Sequence, residues 1–520
     1  MKQISIFNHV IGPVMHGPSS SHTAAAFHIG AMARSLLGER PAKAVFSFDV
    51  DGSYSKTYQE QGADLAFATG LMGWEITDDR FYNALDLAAE SGLSIDFRIQ
   101  KLEKPEHPNT VDIQLFSADG QKLDARANSI GGGAVEFTRV NGWPVNLTGY
   151  AYEVLVETGG SSETSILQLL TAGGESLGEP LRQVRDDLSF LHVRRRSPLP
   201  DQERQRLEAI PGCRNVWIAE PVFFVQNAEP IFHAAKEMVH LADQSGSSLG
   251  QIALEYESVL LGLTDQQIMD EMMRRLDIMR QSVERGLSDP PGMRLLAPSA
   301  HSIYTADAEG RLAIGGLHTR AAARAMAVMH VNGGMGVVCA APTGGAAGTL
   351  PGVIVTLLEE KGIGREDAAL ALLAAGAVGV IVANRATFAA EVAGCQVEIG
   401  AAGAMAAAAV VDAFGGSAQQ AADASAIAFQ NTMGSVCDLV QGMVEIPCHT
   451  RNAAAASNAF LCADLILGGY KNPIDLDETI DAVYSVGKML PSELRCTALG
   501  GLAVTPSALK MELRNLTMLN

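Results

Sequence analysis

The stretch Ala44-Val45-Phe46-Ser47-Phe48-Asp49-Val50 places apolar side chains at every second position from Phe46 onward. This period of two predicts a β-strand with one buried face. Val111-Asp112-Ile113-Gln114-Leu115 repeats the pattern, whereas apolar residues near 22–37 and 58–71 recur at helical spacing. Strands and helices therefore alternate in the first part of the chain, and we predict an α+β domain over residues 1–148.

The rest of the chain has two further patterns. Strand-like runs at 152–156, 188–193 and 216–218 are separated by helical patches at 166–170 and 201–210. This order predicts a small ferredoxin-like module over residues 149–227, with either an effector-binding or a purely packing role. Residues 228–520 carry apolar residues at helical spacing around 232–243, 248–261 and 265–281, so we predict a mostly α-helical third domain. The fold class is therefore multidomain α+β.

Composition narrows the class of protein. Hydrophobic residues make up 47% and charged residues 18% of the 520 residues, which indicates a globular chain. A net charge of −20 argues against a nucleic-acid partner, because phosphate binding needs clustered lysine and arginine.

The apolar runs 368–384 and 399–411 are shorter than the roughly 20 residues of a spanning helix, so we expect buried core helices and no membrane partner. The N-terminus lacks a signal-peptide pattern, and we expect a cytoplasmic protein.

The cysteines form the most informative set of reactive side chains. They are Cys213, Cys339, Cys395, Cys437, Cys448, Cys462 and Cys496, and no Cys-x-x-Cys pair occurs among them. Cys395, Cys437 and Cys448 lie beside glycine, proline or polar residues, which would let thiolates leave regular helix packing and converge on a metal. From spacing alone they are better explained as small buried hydrophobic residues, which free cysteines commonly are.

Several longer motifs carry a resemblance to a known family. They are Gly17-Pro18-Ser19-Ser20-Ser21-His22-Thr23, His107-Pro108-Asn109-Thr110, Ser129-Ile130-Gly131-Gly132-Gly133, Ala341-Pro342-Thr343-Gly344-Gly345-Ala346-Ala347-Gly348, Gly394-Cys395-Gln396-Val397-Glu398-Ile399-Gly400, Val436-Cys437-Asp438, Val444-Glu445-Ile446-Pro447-Cys448-His449-Thr450-Arg451-Asn452 and Leu499-Gly500-Gly501-Leu502-Ala503. In these motifs, and over nearly its whole length, the chain resembles the iron–sulfur-dependent L-serine dehydratases. Residues 1–148 resemble the family's β-type domain, 149–227 an ACT-type insert and 228–520 the α-type domain.

The resemblance implies a carbon–nitrogen lyase that converts L-serine to pyruvate and ammonia. It implies a four-iron four-sulfur cluster held by Cys395, Cys437 and Cys448, with one iron left open as a Lewis acid for the substrate hydroxyl. In some relatives a C-terminal cysteine caps that iron. This chain ends Met518-Leu519-Asn520, so we expect no such cap, and Cys339 and Cys496 remain as possible fourth ligands. A small amino acid is the expected substrate, and a homodimer is the expected assembly.

The same resemblance implies roles for individual residues. The implied catalytic residues are Ser20, Ser21 and His22. The implied substrate-binding residues are Ser19, Thr23, Asp64, Thr343, Gly344, Arg451 and Asn452. Within the first group His22 is the expected base, and the serines offer hydroxyl and N–H groups at the start of a helix, where a carboxylate binds well.

The chain departs from the family pattern at two places. Gln61 stands where relatives carry a histidine that is a candidate proton carrier, and an amide does not titrate in the useful range. Residues 294–299 replace a glycine-rich family motif. Either His22 alone is the base or the substrate differs, and the histidines that could substitute for the missing one are His301, His318 and His449.

Three alternatives therefore stay open. The same elimination could act on another β-hydroxy or β-thiol amino acid, as the changes at Gln61 and residues 294–299 suggest. A non-catalytic, amino-acid-responsive protein would use the middle module as a sensor. A pyridoxal-phosphate lyase would need a Schiff-base lysine, and residues 228–520 offer few lysines and none in a loop rich in glycine and serine.

Overall fold

The chain folds into two compact units. The structure, a computed structural model, describes residues 3–159 and 162–514. Ser21–Asn227 forms one unit, called the central unit below, and the residues before and after it together form the other, called the flanking unit. Both combine helices with β-strands, so the multidomain α+β class is confirmed. The predicted three-domain boundaries stay a prediction.

The strands fall into separate sheets. In chain order they are β1 (Val14–His16), β2 (Lys43–Asp49), β3 (Ser94–Gln100), β4 (Thr110–Phe116), β5 (Lys122–Gly131), β6 (Ala134–Val140), β7 (Trp143–Leu147), β8 (Tyr152–Gly159), β9 (Leu181–Arg185), β10 (Leu188–Arg195), β11 (Cys213–Ala219) and β12 (Val337–Cys339). A large sheet has the order β3–β2–β4–β5–β6–β7, a small sheet has the order β11–β8–β10–β9, and β1 pairs with β12.

The α-helices dominate the flanking unit. In chain order they are α1 (Ala25–Leu37), α2 (Tyr54–Thr57), α3 (Ala63–Met72), α4 (Ala84–Glu90), α5 (Glu163–Thr171), α6 (Asp201–Glu208), α7 (Ala235–Ser245), α8 (Leu249–Leu261), α9 (Asp265–Ser288), α10 (Ala300–Ala308), α11 (Leu317–Gly333), α12 (Thr349–Thr356), α13 (Arg365–Arg385), α14 (Ala390–Ala393), α15 (Ile399–Ala413), α16 (Ala418–Thr432), α17 (Cys448–Leu467), α18 (Leu476–Met489) and α19 (Pro506–Leu509). The helical spacing read from residues 232–281 is thus confirmed by α7, α8 and α9.

The large sheet of the central unit is built around aromatic side chains. Phe46 and Phe48 of β2 point to the buried face, and Phe67 of α3 stacks on Phe46 with ring centroids 4.3 Å apart. The alternation that predicted β2 and β4 is confirmed, because both strands bury every second side chain in this core. β2 is parallel to β3 and antiparallel to β4, so the sheet is mixed.

The small sheet belongs to the same unit and shares its core. Its elements follow the order β–α–β–β–α–β, and each pairing is antiparallel. β9 was not predicted from the sequence. Trp143 of β7 stacks on Phe190 of β10 with centroids 5.1 Å apart, and Leu155 and Ala219 bury in the same apolar cluster. The small sheet is therefore packed on the large one rather than tethered beside it.

Very apolar helices form the core of the flanking unit. α13 and the stretch Cys395–Ala413 are long and apolar enough to cross a membrane, yet 78% and 89% of their most apolar windows are buried inside the protein. These are core helices, as expected from the sequence. Residues near the start of the chain complete this unit, because β1 pairs antiparallel with β12, with Val14 opposite Cys339 and His16 opposite Val337.

Candidate metal centre

Two ligand-bearing loops of the flanking unit meet at Gly394. Its φ of +76° suits glycine, and a Cβ there would lie 2.6 Å from the carbonyl oxygen of Ser435. The Gln396 side chain fastens the two loops together, because its Oε1 accepts a hydrogen bond from the Gly434 amide at 2.9 Å. Cys395 and the segment that carries Cys437 are thereby held side by side.

Thiols and one carboxylate converge where these loops meet. The Sγ atoms of Cys395 and Cys437 and a carboxylate oxygen of Glu398 all lie within 4.8 Å of one another. Cys448, the first residue of α17, is buried and interacts electrostatically with both Cys395 and Glu398. Two of the three cysteines that the sequence singled out therefore lie together with Glu398, and Cys448 is buried close enough for their charges to act on it, although the three are far apart along the chain.

The electrostatics of the group show why a metal would stabilise it. The hydrogen bond from Cys437, together with the guanidinium of Arg451, lowers the pKa of Cys395. Hydrogen bonding with Cys395 raises the pKa of Cys437, and burial raises the pKa of Cys448. Burial and the neighbouring Cys395 also raise the pKa of Glu398. Without a cation, at most part of this set can be ionised, because adjacent buried anions repel one another.

Arg451 supplies positive charge beside the thiols. One of its nitrogens, Nη1, lies 3.6 Å from Cys395 Sγ and donates to the Val436 carbonyl at 2.7 Å. The other, Nη2, pairs with the Asp438 carboxylate at 2.9 Å. The side chain is thus held by the loop that carries Cys437 while it contacts the sulfur of Cys395.

Asn452 joins α17 to the loop that precedes α12. Its Oδ1 accepts hydrogen bonds from the Gly348 amide at 3.2 Å and from the Thr349 amide and hydroxyl at 3.0 and 2.9 Å. Its Nδ2 donates to the carbonyls of Gly345 and Cys448, each at 2.9 Å. One side chain therefore fixes the Ala-Pro-Thr loop, residues 341–348, relative to a predicted metal ligand.

The Ala-Pro-Thr loop also contacts Glu398, beside the clustered thiols, and the start of the serine motif, residues 17–23. The Thr343 hydroxyl donates to Glu398 at 2.8 Å. A Cβ on Gly344 would lie 2.8 Å from the Pro18 carbonyl oxygen and 3.3 Å from the Ser20 amide, so only glycine allows this close approach. Thr343, Gly344 and Ser20 thus belong to one assembly with the cysteines.

The other predicted residues of the serine motif lie in the central unit. The Ser21 carbonyl accepts hydrogen bonds from the Ser129 hydroxyl at 2.7 Å and the Tyr54 hydroxyl at 3.4 Å. His22 is buried, its Nε2 lies 3.0 Å from the Ser53 hydroxyl, and its ring packs edge-on against Tyr54. Burial lowers the pKa of His22 to about 4. The imidazole is therefore neutral near pH 7 and keeps a lone pair for a proton.

Further polar groups of the central unit surround the start of α3. The Thr23 hydroxyl donates to the Gln61 carbonyl at 2.8 Å. Asp64 is buried in the first turn of α3, and burial raises its pKa to about 6. Within the described part of the chain, the buried side-chain oxygens of Gln61 and Asn109 have no hydrogen-bond partner. Such atoms can receive a hydrogen bond from a bound molecule.

The structure thus sorts the predicted site residues into two groups. Ser20, Thr343, Gly344, Arg451 and Asn452 lie with the three cysteines in the flanking unit, together with Ser19 on the same chain segment. Ser21, His22, Thr23 and Asp64 lie in the central unit. Of the substitute histidines, His301 and His318 are exposed on α10 and α11, whereas His449 is buried beside Cys448 and packs against His330.

Sequence reasoning did not assign one side chain that the structure adds to the metal centre. Glu398 lies within the quoted Gly394–Gly400 motif, three residues after Cys395, and this spacing on a tight turn is the signal that could have placed it there. Cys496, which the sequence offered as a possible fourth ligand, lies next to Cys437, because its backbone amide donates to the Cys437 carbonyl at 2.9 Å.

The donor set fits the iron–sulfur cluster that the resemblance implies. Cluster irons are held by cysteine thiolates, and binding a cation ionises the thiols outright. The buried thiols of Cys395, Cys437 and Cys448 would hold the cluster, and the repulsion among their charges would then be offset by the irons. Apolar neighbours such as Ala346, Ile399 and Ala402 enclose the group, which limits access of water.

Comparison with known proteins shows which family the chain belongs to. The family model "Serine dehydratase alpha chain" matches residues 228–503, and the model "Serine dehydratase beta chain" matches residues 6–139. The chain belongs to the serine dehydratase family. It is similar to a protein named "Probable L-serine dehydratase, alpha chain" from Bacillus subtilis, with 37% identity over 54% of this chain and 94% of the relative.

Two further relatives show how the family parts are distributed. "L-serine dehydratase, alpha chain" from Peptoniphilus asaccharolyticus is 33% identical over 54% of this chain and 97% of its own length. "Probable L-serine dehydratase, beta chain" from Bacillus subtilis is 42% identical over 30% of this chain and 69% of its own length. This serine dehydratase family member therefore carries in one fused chain the parts that are separate alpha and beta chains in Bacillus subtilis. Its enzyme class is that of a carbon–nitrogen lyase.

Proposed function

We propose that this chain catalyses the iron–sulfur-dependent deamination of L-serine to pyruvate and ammonia by α,β-elimination. The observation that carries the proposal is the meeting of Cys395 and Cys437 with Glu398 in one buried place, beside a loop that also contacts the serine motif. A structural role for buried cysteines would not require them to lie beside a buried carboxylate and an arginine. The names of the relatives support L-serine as the substrate.

The bound cluster would supply a Lewis acid, which is worth several kcal/mol of charge stabilisation on a departing hydroxyl group. The chain's own residues do the remaining work. The cysteines anchor the group, and Arg451 stabilises the thiolate charge on Cys395. The Asn452 side chain holds the Ala-Pro-Thr loop in place, so Thr343 and Gly344 keep a fixed position next to Glu398.

His22 is the proton acceptor in this proposal. Its neutral imidazole can take the α-proton of the substrate at Nε2, where the Ser53 hydroxyl now bonds. A pKa of about 4 keeps it unprotonated throughout the neutral range. Because a positioned base contributes about 10²–10⁴-fold, His22→Gln should lower turnover by about that factor and leave the iron content unchanged. Equal losses of iron and turnover would instead point to a folding defect.

The main experiment is anaerobic purification followed by measurement of iron, acid-labile sulfide and pyruvate formation from L-serine. We expect about four irons and four sulfides per chain, as for a single four-iron cluster. Cys395→Ala, Cys437→Ala and Cys448→Ala should each lose both the cluster and pyruvate formation.

A matched control is available on the same helix. Cys462 is also a buried thiol of α17, but its sulfur accepts a hydrogen bond from Asn431 at 3.6 Å, and its pKa is raised by burial without any effect of Cys395 or Glu398. Cys462→Ala should therefore keep iron and activity, whereas Cys448→Ala should lose both. Equal iron content in the Cys448→Ala and wild-type proteins would refute the proposed cluster.

A related substrate is the second candidate, favoured by Gln61. Among the described residues, the buried Oε1 of this side chain has no hydrogen-bond partner. An amide oxygen can accept a hydrogen bond, but it cannot carry a proton as a histidine would. A different β-hydroxy or β-thiol amino acid could supply the donor. Product formation from a panel of such amino acids decides the question, since a higher kcat/KM on any of them than on L-serine would replace the serine assignment.

Finer features of the assembly are part of the same proposal. We propose that residues 149–227 are an ACT-type module, which the β–α–β–β–α–β order and the antiparallel small sheet support. We also propose a cytoplasmic homodimer, as the family resemblance suggests. Light scattering of the anaerobic protein measures the mass, and a monomer at micromolar concentration would contradict the dimer.

A further inference from the structure

The hydroxyl of Ser53 covers the ring nitrogen of His22 that the proposed function uses. His22 Nε2 lies 3.0 Å from Ser53 Oγ. The histidine is only 8% exposed, whereas Ser53 is half-buried. Because the hydroxyl already occupies the hydrogen-bonding direction of Nε2, a substrate could bond to this nitrogen directly only by displacing the serine.

The Ser53 side chain is not used by the helix that it precedes. A serine at the start of a helix usually accepts a hydrogen bond from an amide of the first turn. Ser53 stands directly before α2, and within this described stretch its side chain makes no such bond. The hydroxyl lies instead against His22, so helix capping does not explain why a serine stands at this position.

The backbone of Ser53 is held by the motif of residues 107–110. The Ser53 amide donates to the Pro108 carbonyl at 2.8 Å. A Cβ on Gly52 would lie 2.7 Å from the same carbonyl oxygen, so only glycine allows this approach. On the other side, the Thr57 hydroxyl donates to the Ser53 carbonyl at 3.0 Å. The serine is therefore fixed through both of its peptide groups next to the imidazole.

The imidazole is held in place from other sides. The Tyr54 ring packs edge-on against His22 with centroids 5.3 Å apart. The carbonyl of Ser21, one residue earlier, accepts a hydrogen bond from the Ser129 hydroxyl at 2.7 Å. Burial lowers the pKa of His22 to about 4, so the ring is neutral near pH 7. A neutral imidazole has one nitrogen with a lone pair, which can accept the hydrogen bond of the Ser53 hydroxyl.

We propose that Ser53 is a further catalytic residue, which takes the α-proton of the substrate and passes its own hydroxyl proton to His22. This transfer is called the relay below. It rests on the proposed function, in which His22 is the proton acceptor, and it adds the group that touches the substrate. The relay requires the hydrogen of the neutral imidazole to be on Nδ1, because Nε2 must accept.

The relay conserves protons and electrons. The bond between the α-carbon and its hydrogen breaks as an O–H bond forms at Ser53 Oγ, while the original O–H bond breaks and an N–H bond forms at His22 Nε2. The electron pair of the broken C–H bond becomes the new carbon–carbon double bond, and the β-hydroxyl departs as hydroxide. The proton on His22 finally combines with hydroxide to give water, which returns both side chains to their starting state.

Replacing Ser53 separates the relay from direct proton transfer to His22. We would measure pyruvate formation from L-serine with the full-length protein, purified without oxygen. In the relay, Ser53→Ala should lower kcat by about 10²–10⁴-fold, the usual contribution of a positioned acid–base group, without loss of iron or sulfide. If His22 takes the proton directly, removing the hydroxyl uncovers Nε2, and kcat should stay the same or rise. That result would overturn the relay.

Isotope effects separate the relay from a serine that only orients the imidazole. In the relay the hydroxyl proton of Ser53, which exchanges with water, moves in the same step as the α-proton. A single turnover of L-serine deuterated at the α-carbon should therefore slow further in heavy water, and Ser53→Ala should lose this solvent effect. If Ser53 only orients His22, heavy water should leave the α-proton step unchanged in the wild type, and the relay is then wrong.

A double variant shows whether the two residues act as a unit. Because the relay stops when either member is lost, the variant that carries both Ser53→Ala and His22→Gln should be no slower than the slower single variant. Losses that multiply would mean that the two side chains act independently. Ser53→Thr keeps a hydroxyl and should retain more turnover than Ser53→Ala.

Ser55 supplies a matched control from the same short helix. Its hydroxyl donates to the Gly52 carbonyl at 2.9 Å and to the Val50 carbonyl at 3.3 Å rather than to His22. Ser55→Ala should therefore keep the wild-type kcat and solvent isotope effect. Tryptophan fluorescence checks that each variant is folded around the serine, because all three tryptophans lie in the central unit.

The outcomes distinguish this inference from the proposed function. If the wild type forms pyruvate and His22→Gln does not, while Ser53→Ala matches the wild type, the relay is wrong and the proposed function stands. If neither the wild type nor Ser55→Ala forms pyruvate from L-serine, the proposed function fails and the relay fails with it.

Discussion

Replacing Asn452 by alanine tests whether one amide positions the Ala-Pro-Thr loop. The substitution removes the acceptor of the Gly348 and Thr349 amides, both of which are buried. Each such hydrogen bond contributes about 1 kcal/mol net, and a buried donor left without a partner costs about 1–3 kcal/mol. The free energy of local opening at this loop should therefore fall by at least about 2 kcal/mol.

Hydrogen exchange measures this local free energy directly, without requiring the whole chain to unfold in one step. A loss of about 2 kcal/mol corresponds to roughly thirtyfold faster exchange of the Gly348 and Thr349 amides. Mass spectrometry of a peptide covering residues 345–350 resolves a change of this size. Iron retention should fall in the same variant, because Asn452 also bonds the Cys448 carbonyl.

A control on the same helix isolates the effect. Asn458 of α17 is half-buried, and its Oδ1 accepts a hydrogen bond from Asn431 at 3.0 Å rather than from the Ala-Pro-Thr loop. Asn458→Ala should leave exchange at residues 345–350 within about a factor of two, because the hydrogen bond that it removes is to Asn431 and not to this loop. Unchanged exchange in Asn452→Ala would refute the view that this side chain fixes the loop.

Three further predictions follow from buried or charged groups. Glu445 accepts the amides of residues 294–296 at 2.7–2.9 Å, so Glu445→Gln should speed their hydrogen exchange about tenfold or more, and no change would contradict this role. Burial lowers the pKa of His28 to about 4 from its ordinary 6.5, so the unfolded state takes up the proton and stability should fall by about 2 kcal/mol between pH 7 and pH 5. Tryptophan fluorescence reports this unfolding, since all three tryptophans lie in the same unit, and His28→Gln should have a shallower pH dependence than the wild type. Arg451→Lys keeps the charge but not the contacts to Cys395 and its neighbours, so iron retention in competition with a chelator should drop about ten- to hundredfold.

The sequence predicted the elements whose side chains alternate or repeat clearly. β2 and β4 place every second side chain in the aromatic core, and α7 to α9 bury an apolar stripe, so their periods are visible in the chain. β9 was missed because Leu181–Arg185 is an edge strand with both faces largely exposed, and its residues alternate only weakly. An edge strand is stabilised by its neighbour β10 more than by its own pattern.

The sequence predicted the metal ligands of the candidate site but not the hydrogen bonds that hold the surrounding loops in place. Cys395, Cys437 and Cys448 stand in long motifs, so they could be named although nothing in their spacing brings them together. The role of Asn452 depends on the path of the Ala-Pro-Thr loop, which lies about a hundred residues earlier and is set only by the tertiary fold. Its substrate-binding role stays a prediction, while the structure shows its amide bonded to protein groups on both sides.

The link between Cys496 and Cys437 was likewise hidden in the sequence. It depends on backbone hydrogen bonds between segments that neither periodicity nor composition connects. Residues Met518, Leu519 and Asn520 lie outside the described residues. The expectation that no C-terminal cysteine caps the open iron therefore stays a prediction.

The pairing of β1 with β12 sets an order of events during synthesis. Val14 cannot meet Cys339 until the ribosome has added roughly 320 more residues, which takes roughly 16 to 64 seconds at about 5–20 residues per second. The whole of Ser21–Asn227 leaves the ribosome in that interval and can fold while the first strand waits unpaired. A nascent chain stalled before residue 337 should therefore expose residues 14–16 to a protease, and one released after residue 339 should protect them.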